Sequence, residues 1–272
     1  MNPDSAYAYN NRGNIYCERK EYDKALSDYS QAIQLNPNFP AAYSNRGNVH
    51  IEQREYDRAL SDCNQAILFN PKYDLAYVNR GRVYQGLKDY DKALSACSQA
   101  IQLNPDSAYA YYDRGNVYFE RQEYDRALSD YSRAIQLDPN GPDAYNNRGN
   151  AYVNQREYDR ALSDCNQAIL LNPKYDLAYV NRGRAYQGLK DYDKALSDYN
   201  QAIQLDPIFP AAYSNRGNVH LERREFMKAL GDCNQAISLN LKFDLAYVNR
   251  ARAYQGLKDY DKALSDYNRR SR

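Results

Sequence analysis

The sequence lacks tryptophan entirely and has only two histidines. No run approaches 18 apolar residues, which excludes a membrane-spanning helix. No charge of one sign dominates: 36 Lys and Arg stand against 35 Asp and Glu. A nucleic-acid backbone binder usually carries a basic surplus, and an anionic membrane surface exerts no general pull on a neutral chain. Neither nucleic acid nor membrane is an expected partner. The first residues, Met1 to Ser5, show no basic segment followed by an apolar one, so no signal peptide is read. There is no Gly-rich phosphate loop, no Cys-x-x-Cys, no metal-ligand motif and no His-containing triad. The expectation is therefore not an enzyme, with no cofactor and no metal. What the chain has instead is tyrosine, at 30 of 272 positions. One aromatic used so heavily points to a repeating pattern.

The glycines give the period. Gly13, Gly47, Gly81, Gly115, Gly149, Gly183 and Gly217 are each 34 residues apart, and Ala251 holds the eighth place. The same step runs from Ala25 through Ala59, Ala93, Ala127, Ala161, Ala195 and Ala229 to Ala263. It carries Ala32 as far as Ala236, and it places a proline near the end of each repeat from Pro37 to Pro207. A longer period of three repeats lies on top. Repeats starting at Ala6 and Ala108 share Ala-Tyr-Ala-Tyr. Those starting at Pro40, Pro142 and Pro210 share Asp-Cys-Asn-Gln-Ala-Ile, and those starting at Asp74, Asp176 and Asp244 share Leu-Ala-Tyr-Val-Asn-Arg.

Within one repeat the positions Tyr9, Gly13, Tyr16, Ala25, Tyr29, Ala32 and Pro37 resemble the tetratricopeptide repeat pattern of aromatic, small, aromatic, Ala-x3-aromatic and Pro. Tyr replaces the leading Trp of that pattern throughout, and Arg replaces the Leu before the glycine. The resemblance covers essentially the whole chain. It implies an all-α fold, a right-handed α-α superhelix of stacked antiparallel helix pairs. It also implies a single array over 1–272, with repeats at 6–39, 40–73, 74–107, 108–141, 142–175, 176–209, 210–243 and a truncated 244–272.

The apolar spacing predicts a first helix from Tyr7 to about Arg19 and a second from Tyr22 to Leu35, with a short turn at Lys20-Glu21. Asn36-Pro37 ends the second helix. Gly13, Ala25 and Ala32 are small where paired helices cross. Tyr9, Tyr16, Tyr22, Tyr29 and their copies are read as packing residues, which requires each hydroxyl to reach water or a partner. Arg12 and its copies are expected to pair with Asp28 and its copies, with Ala96 the one departure. Cys63, Cys97, Cys165 and Cys233 replace Tyr29 and read as inert core thiols. They and Cys17 are unpaired, since equivalent positions of adjacent repeats lie too far apart for a disulfide. Free thiols point to a reducing, cytoplasmic location. His50 and His220 replace Tyr16 five repeats apart and cannot share a metal.

Solenoids of this kind bind along a face lined by the first helix of each repeat. Two residues before the glycine that face carries Asn11, Asn45, Asn79, Asn147, Asn181, Asn215 and Asn249, with Asp113 in the fourth repeat. Asn in mid-helix is unfavourable by up to about 0.7 kcal/mol. A spine of amides can pair with a peptide backbone without reading its side chains, and resembles the asparagine ladder in the repeat domain of O-linked N-acetylglucosamine transferase. One residue after the glycine stand Asn14, Asn48, Asn116, Asn150 and Asn218, but Arg82, Arg184 and Arg252 in the repeats that start at Asp74, Asp176 and Asp244. Arg82 and Arg184 are candidates to receive carboxylates. Cys17, Ile51, Phe119, Val153 and Leu221 are candidate apolar pockets, and Tyr7, Tyr109 and Tyr112 add aromatic surface at the edge. The two-carboxylate clamp of chaperone cofactors needs Lys three and six residues before the glycine. Asn10, Ser44, Val78 and Tyr112, with Tyr7, Ala41, Leu75 and Tyr109, stand there instead in the first four repeats. Binding of a chaperone C-terminus is not expected.

Met1 to Ser5 match the tail of a preceding repeat, and Arg270 stands where an Ala belongs, so a fragment of a longer array with uncapped ends is expected. The resulting expectation is a protein–protein interaction scaffold holding an extended peptide in its groove. The alternatives are a substrate-targeting repeat domain of a larger enzyme, and assembly through end-to-end stacking of uncapped repeats.

Overall fold

A computed structural model describes residues 5–269. Its contacts divide the chain into two compact units, one up to Pro139 and one from Asn140 onward. The first unit holds α1 (Ala6–Glu18), α2 (Tyr22–Leu35), α3 (Pro40–Glu52), α4 (Tyr56–Phe69), α5 (Asp74–Gly86), α6 (Tyr90–Leu103), α7 (Ala108–Glu120) and α8 (Tyr124–Leu137). The second holds α9 (Pro142–Asn154), α10 (Tyr158–Leu171), α11 (Asp176–Gly188), α12 (Tyr192–Leu205), α13 (Pro210–Glu222), α14 (Phe226–Leu239), α15 (Asp244–Gly256) and α16 (Tyr260–Arg269). Met1 to Asp4 and Arg270, on which the expectation about the chain ends partly rested, lie outside the described residues.

Each first helix closes with a paired hydrogen-bond cap. In α1 the Glu21 N–H donates to Tyr16 O at 2.9 Å and the Lys20 N–H to Cys17 O at 2.9 Å. This cap needs one left-handed residue, normally glycine. Here Lys20, Arg54, Lys88, Gln122, Arg156, Lys190, Arg224 and Lys258 take that role with φ between 58° and 63°. The second helices α2, α4, α6, α10, α12 and α14 end in an Asx turn: Asn36 Oδ1 accepts from the Asn38 N–H at 3.2 Å, and Asn172 Oδ1 from the Lys174 N–H at 3.1 Å. The turn persists at Asn240, whose Oδ1 accepts from the Lys242 N–H at 3.0 Å although Leu241 replaces the proline. The side-chain amide, rather than proline alone, therefore sets the repeat boundary.

The repeat glycine lets paired helices meet. A Cβ on Gly13 would lie 2.6 Å from the ring of Tyr29, and one on Gly183 would lie 2.7 Å from that of Tyr199. Where cysteine replaces the tyrosine the fit loosens at Gly47, whose nearest neighbour would be the Asp62 Cβ at 3.3 Å. Tyr29, Tyr131 and Tyr199 are fully buried. Their hydroxyls donate to Asn14 Oδ1 at 2.9 Å, Asn116 Oδ1 at 2.9 Å and Gln187 Oε1 at 3.1 Å. Burial raises these phenols well above their ordinary range. It likewise pushes the Cys63, Cys165 and Cys233 thiols up to about 12, so they stay protonated and unreactive. All five cysteines are free.

The predicted Arg–Asp pairing is present as a two-bond fork. Arg12 donates from Nε and Nη2 to Asp28 at 2.6 Å each. The same fork joins Arg46–Asp62, Arg114–Asp130, Arg148–Asp164, Arg182–Asp198, Arg216–Asp232 and Arg250–Asp266. The hydrogen bond to the carboxylate keeps Arg46 and Arg182 charged despite half burial. Arg80 faces Ala96 and has no carboxylate. Its Nε is the one buried side-chain nitrogen or oxygen without a partner among the described residues.

Candidate functional site

Within each unit the first helices touch one another, α1 on α3, α3 on α5 and α5 on α7, then α9 on α11, α11 on α13 and α13 on α15. Among the described residues of each unit, second helices of neighbouring repeats make no such contact. The first helices are therefore the closer-packed side of each unit, and the ladder positions lie on them.

The ladder amides are partly used by the fold. The Asn45 Nδ2 donates to Asn10 Oδ1 and Asn14 Oδ1 at 3.0 Å each. The Asn79 Nδ2 donates to Ser44 O and Oγ at 3.1 Å. In the second unit the Asn181 Nδ2 donates to Asn146 Oδ1 at 2.9 Å, and the Asn249 Nδ2 to Ser214 O and Oγ at 3.3 Å. Each of these amides donates to the residue 35 places earlier, Asn45 also to Asn14, so the ladder staples repeat to repeat. Asn45 and Asn79 keep their carbonyl oxygens for another donor. Asn215 makes no hydrogen bond, because Val180 stands 35 residues before it. Asn11 is exposed and accepts only from the Asn10 Nδ2 at 3.4 Å. Asn147 is half-buried.

The second row is linked in the same way. Arg82 Nη1 donates to Asn48 Oδ1 at 2.5 Å and its Nη2 to Glu52 Oε1 at 2.8 Å. Arg184 Nη1 donates to Asn150 Oδ1 at 2.5 Å and to Asn181 Oδ1 at 3.3 Å. Arg252 Nη1 donates to Asn218 Oδ1 at 2.9 Å. Asn14 and Asn116 accept the tyrosine hydroxyls described above. The arginines thus already hold acceptors of the preceding repeat, and a carboxylate ligand meets them as occupied donors.

In the first unit several of these positions converge. A cavity of about 400 Å³ is lined by Asn45, Asn48, Asn79, Arg82 and Asp113, with Leu75, Val78, Tyr109 and Tyr112 among its walls. Sequence patterning missed the convergence. Its signal was the residue three places before the glycine, which is Asn10, Ser44, Asn146 or Ser214 where the next ladder amide is stapled and Val78 or Val180 where the next ladder residue is not.

Profiles of the TPR repeat match residues 13–53 and 115–156. Profiles of the tetratricopeptide repeat match 40–73, 75–107, 142–175 and 177–209, then 96–129, then 245–269. The chain belongs to the tetratricopeptide repeat family. Its fold is all-α, a tetratricopeptide solenoid of antiparallel helix pairs. A chain of the APC/C hetero-tetramer Cut9–Hcn1 superposes with a TM-score of 0.79 at 16% identity, covering 94% of this chain and 50% of that one. This chain thus spans about half the length of that relative. A tetratricopeptide repeat protein from Parabacteroides merdae gives 0.67 at 20% identity, covering 91% and 98%. YrrB, a TPR protein with an unusual peptide-binding site, gives 0.51 at 26% identity, covering 68% and 95%. No curated protein matches the chain.

The apolar pockets expected of this tetratricopeptide face are filled. Val153 is buried against Ala161 and Ala185, and Leu221 against Ala229 and Ala253. Phe119 packs edge-on against Tyr124 at 5.5 Å, and Cys17 joins the cluster around Tyr29 and Val49. Tyr7 and Tyr109 remain 66% and 69% exposed. The two histidines are structural: Nδ1 of His50 lies 2.7 Å from Glu55 Oε2, and Nδ1 of His220 lies 2.8 Å from Glu225 Oε2. Among the described residues no helix is long and apolar enough to cross a membrane.

Proposed function

We propose that the chain is a protein–protein interaction scaffold that holds an extended peptide segment along the first-helix face of its repeats. The observation that carries this reading is the amide ladder, with bonding capacity left over after the fold is satisfied. Asn45 and Asn79 offer carbonyl oxygens, and Asn11 and Asn215 offer amides that the fold does not need. Alternating donors and acceptors at helix spacing suit an extended backbone, whose own N–H and C=O groups must be paired when they leave water. YrrB, described as having a peptide-binding site, supports the same class of ligand.

The test separates binding from stability. Asn11→Ala/Asn215→Ala removes amides that staple nothing, so the double variant should fold like the wild type while losing affinity for the peptides that wild type enriches from a randomised library. Equal enrichment by both proteins would sink the proposal.

A further inference from the structure

The first unit carries one acidic side chain that its fold does not use. Asp113 stands at the ladder position of α7, is 7% exposed, and lines the cavity described above. The ladder residues buried as deeply, Asn181 and Asn249, each donate to the preceding repeat. An aspartate has no N–H to give, and 35 residues before it stands Val78, which offers nothing in return. No described residue donates a hydrogen bond to its carboxylate. Arg82, with Nη1 on Asn48 and Nη2 on Glu52, reaches Asp113 only as a charge at a distance. Arg82 from α5 is the charged group that acts on it; Asp113 in turn raises the Cys97 thiol of α6 and the Tyr131 phenol of α8, and Tyr112 lies beside it in the lining. Burial pushes the Asp113 carboxyl up to about 7. A buried carboxylate is ordinarily paired; this one opens on a cavity instead.

The second unit shows what the same frame looks like without it. Asn150, Leu177, Val180, Asn181 and Arg184 repeat Asn48, Leu75, Val78, Asn79 and Arg82. Ala211, Ser214 and Asn215 then stand where the first unit has Tyr109, Tyr112 and Asp113. The carboxylate and both rings appear together and vanish together.

We propose that this cavity receives the cationic side chain, lysine or arginine, of an extended peptide, with Asp113 as counter-ion and the rings of Tyr109 and Tyr112 as walls. The inference rests on the reading that the first-helix face binds extended peptides. An ammonium or guanidinium supplies the missing donors, ring faces attract a cation, and the alkyl stem lies against Leu75 and Val78.

The test uses the full chain and fluorescein-labelled nonapeptide pools with randomised flanks and a fixed centre of lysine, arginine, norleucine or citrulline. Asp113→Asn installs the residue found at the other seven ladder positions, so it retains the fold. By anisotropy at pH 8, the lysine and arginine pools should bind wild type about tenfold more tightly than the neutral pools, and Asp113→Asn should erase the difference. Equal binding of charged and neutral pools by wild type overturns the cation pocket and leaves the peptide-binding face standing. A second readout does not need the peptide. Carbon-13 NMR follows the Asp113 carboxyl through a pH titration with n-butylammonium or n-butylguanidinium, against sodium at equal ionic strength. Either organic cation should lower its pKa. If no pool binds yet the pKa falls, the pocket stands and the peptide-binding reading fails; if neither cation moves it, the pocket is overturned.

Discussion

At the scale of single residues, the most informative positions are the two where a repeated pairing breaks. Arg80 meets Ala96 and keeps a buried Nε without an acceptor. Ala96→Asp should restore the two-bond fork and stabilise the chain by about 1 kcal/mol. The converse change, Arg148→Leu, leaves the buried Asp164 carboxylate without its partner and should cost about 3 kcal/mol. Urea unfolding of both variants beside wild type checks the pair, and an unchanged midpoint for Arg148→Leu would contradict it. Asp113 is the other break. Its folded pKa of about 7 lies above the unfolded value of about 3.9. The folded chain therefore keeps a proton that the unfolded chain releases, and stability falls as pH rises between about 4 and about 7. Asp113→Asn should match wild type at pH 4 and exceed it by about 1–3 kcal/mol at pH 8. Denaturation at the two pH values gives the difference directly.

At the scale of helices, two conformational demands recur in every repeat. The first is the left-handed residue closing each first helix, a role given to Lys, Arg or Gln and never to Gly. Lys190→Gly removes a Cβ penalty of about 1–2 kcal/mol and adds unfolded-state entropy worth about 0.4–1 kcal/mol. The net expectation is a modest rise in melting temperature, and Lys190→Val should lower it. The second is the helix crossing. Gly183→Ala drives a Cβ to 2.7 Å from the fully buried ring of Tyr199, which has no room to move. It should cost about 1–3 kcal/mol. Gly47→Ala brings a Cβ to 3.3 Å from the Asp62 Cβ, a tight contact that a small shift relieves, and gains about 1 kcal/mol of helix propensity, so it should cost clearly less than Gly183→Ala. Similar losses for the two variants would show that the tyrosine is not what fixes the crossing.

At the scale of the molecule, the contacts gather into two four-repeat units, and within each unit every repeat packs on its neighbours. Stability in such an array is a sum of local terms, so damage stays near its source. Buried thiols report this. Cys63 and Cys97 lie in the first unit, Cys165 and Cys233 in the second, and all four are buried. In a Gly183→Leu variant, Cys165 and Cys233 should become labelled by a thiol reagent at lower urea than Cys63 and Cys97. Simultaneous labelling of all four would mean that the two units unfold as one.

Repeat length, helix pairs, the crossing glycines and the Arg–Asp fork were all legible in the sequence, because each depends on spacing within a single 34-residue unit. Helix ends fell within a residue of expectation, as at α1, where the helix starts at Ala6 rather than Tyr7. The use made of the ladder was not legible. Whether Asn45 staples and Asn215 does not depends on the residue 35 places earlier, Asn10 or Val180, and that relation exists only once helices of neighbouring repeats lie side by side. The same holds for Val153 and Leu221, which read as pocket residues until alanines of the next repeat covered them. Asp113 stood out in the sequence only as one acid among seven amides. Folding brings it to the wall of a cavity with Tyr109 and Arg82, and takes from it every donor but a ligand's. The periodicity alone determined the fold, since it repeats a local rule eight times; the packing between repeats decided which polar groups remain for a partner, since hydrogen bonds across a helix interface are settled only by who lies opposite.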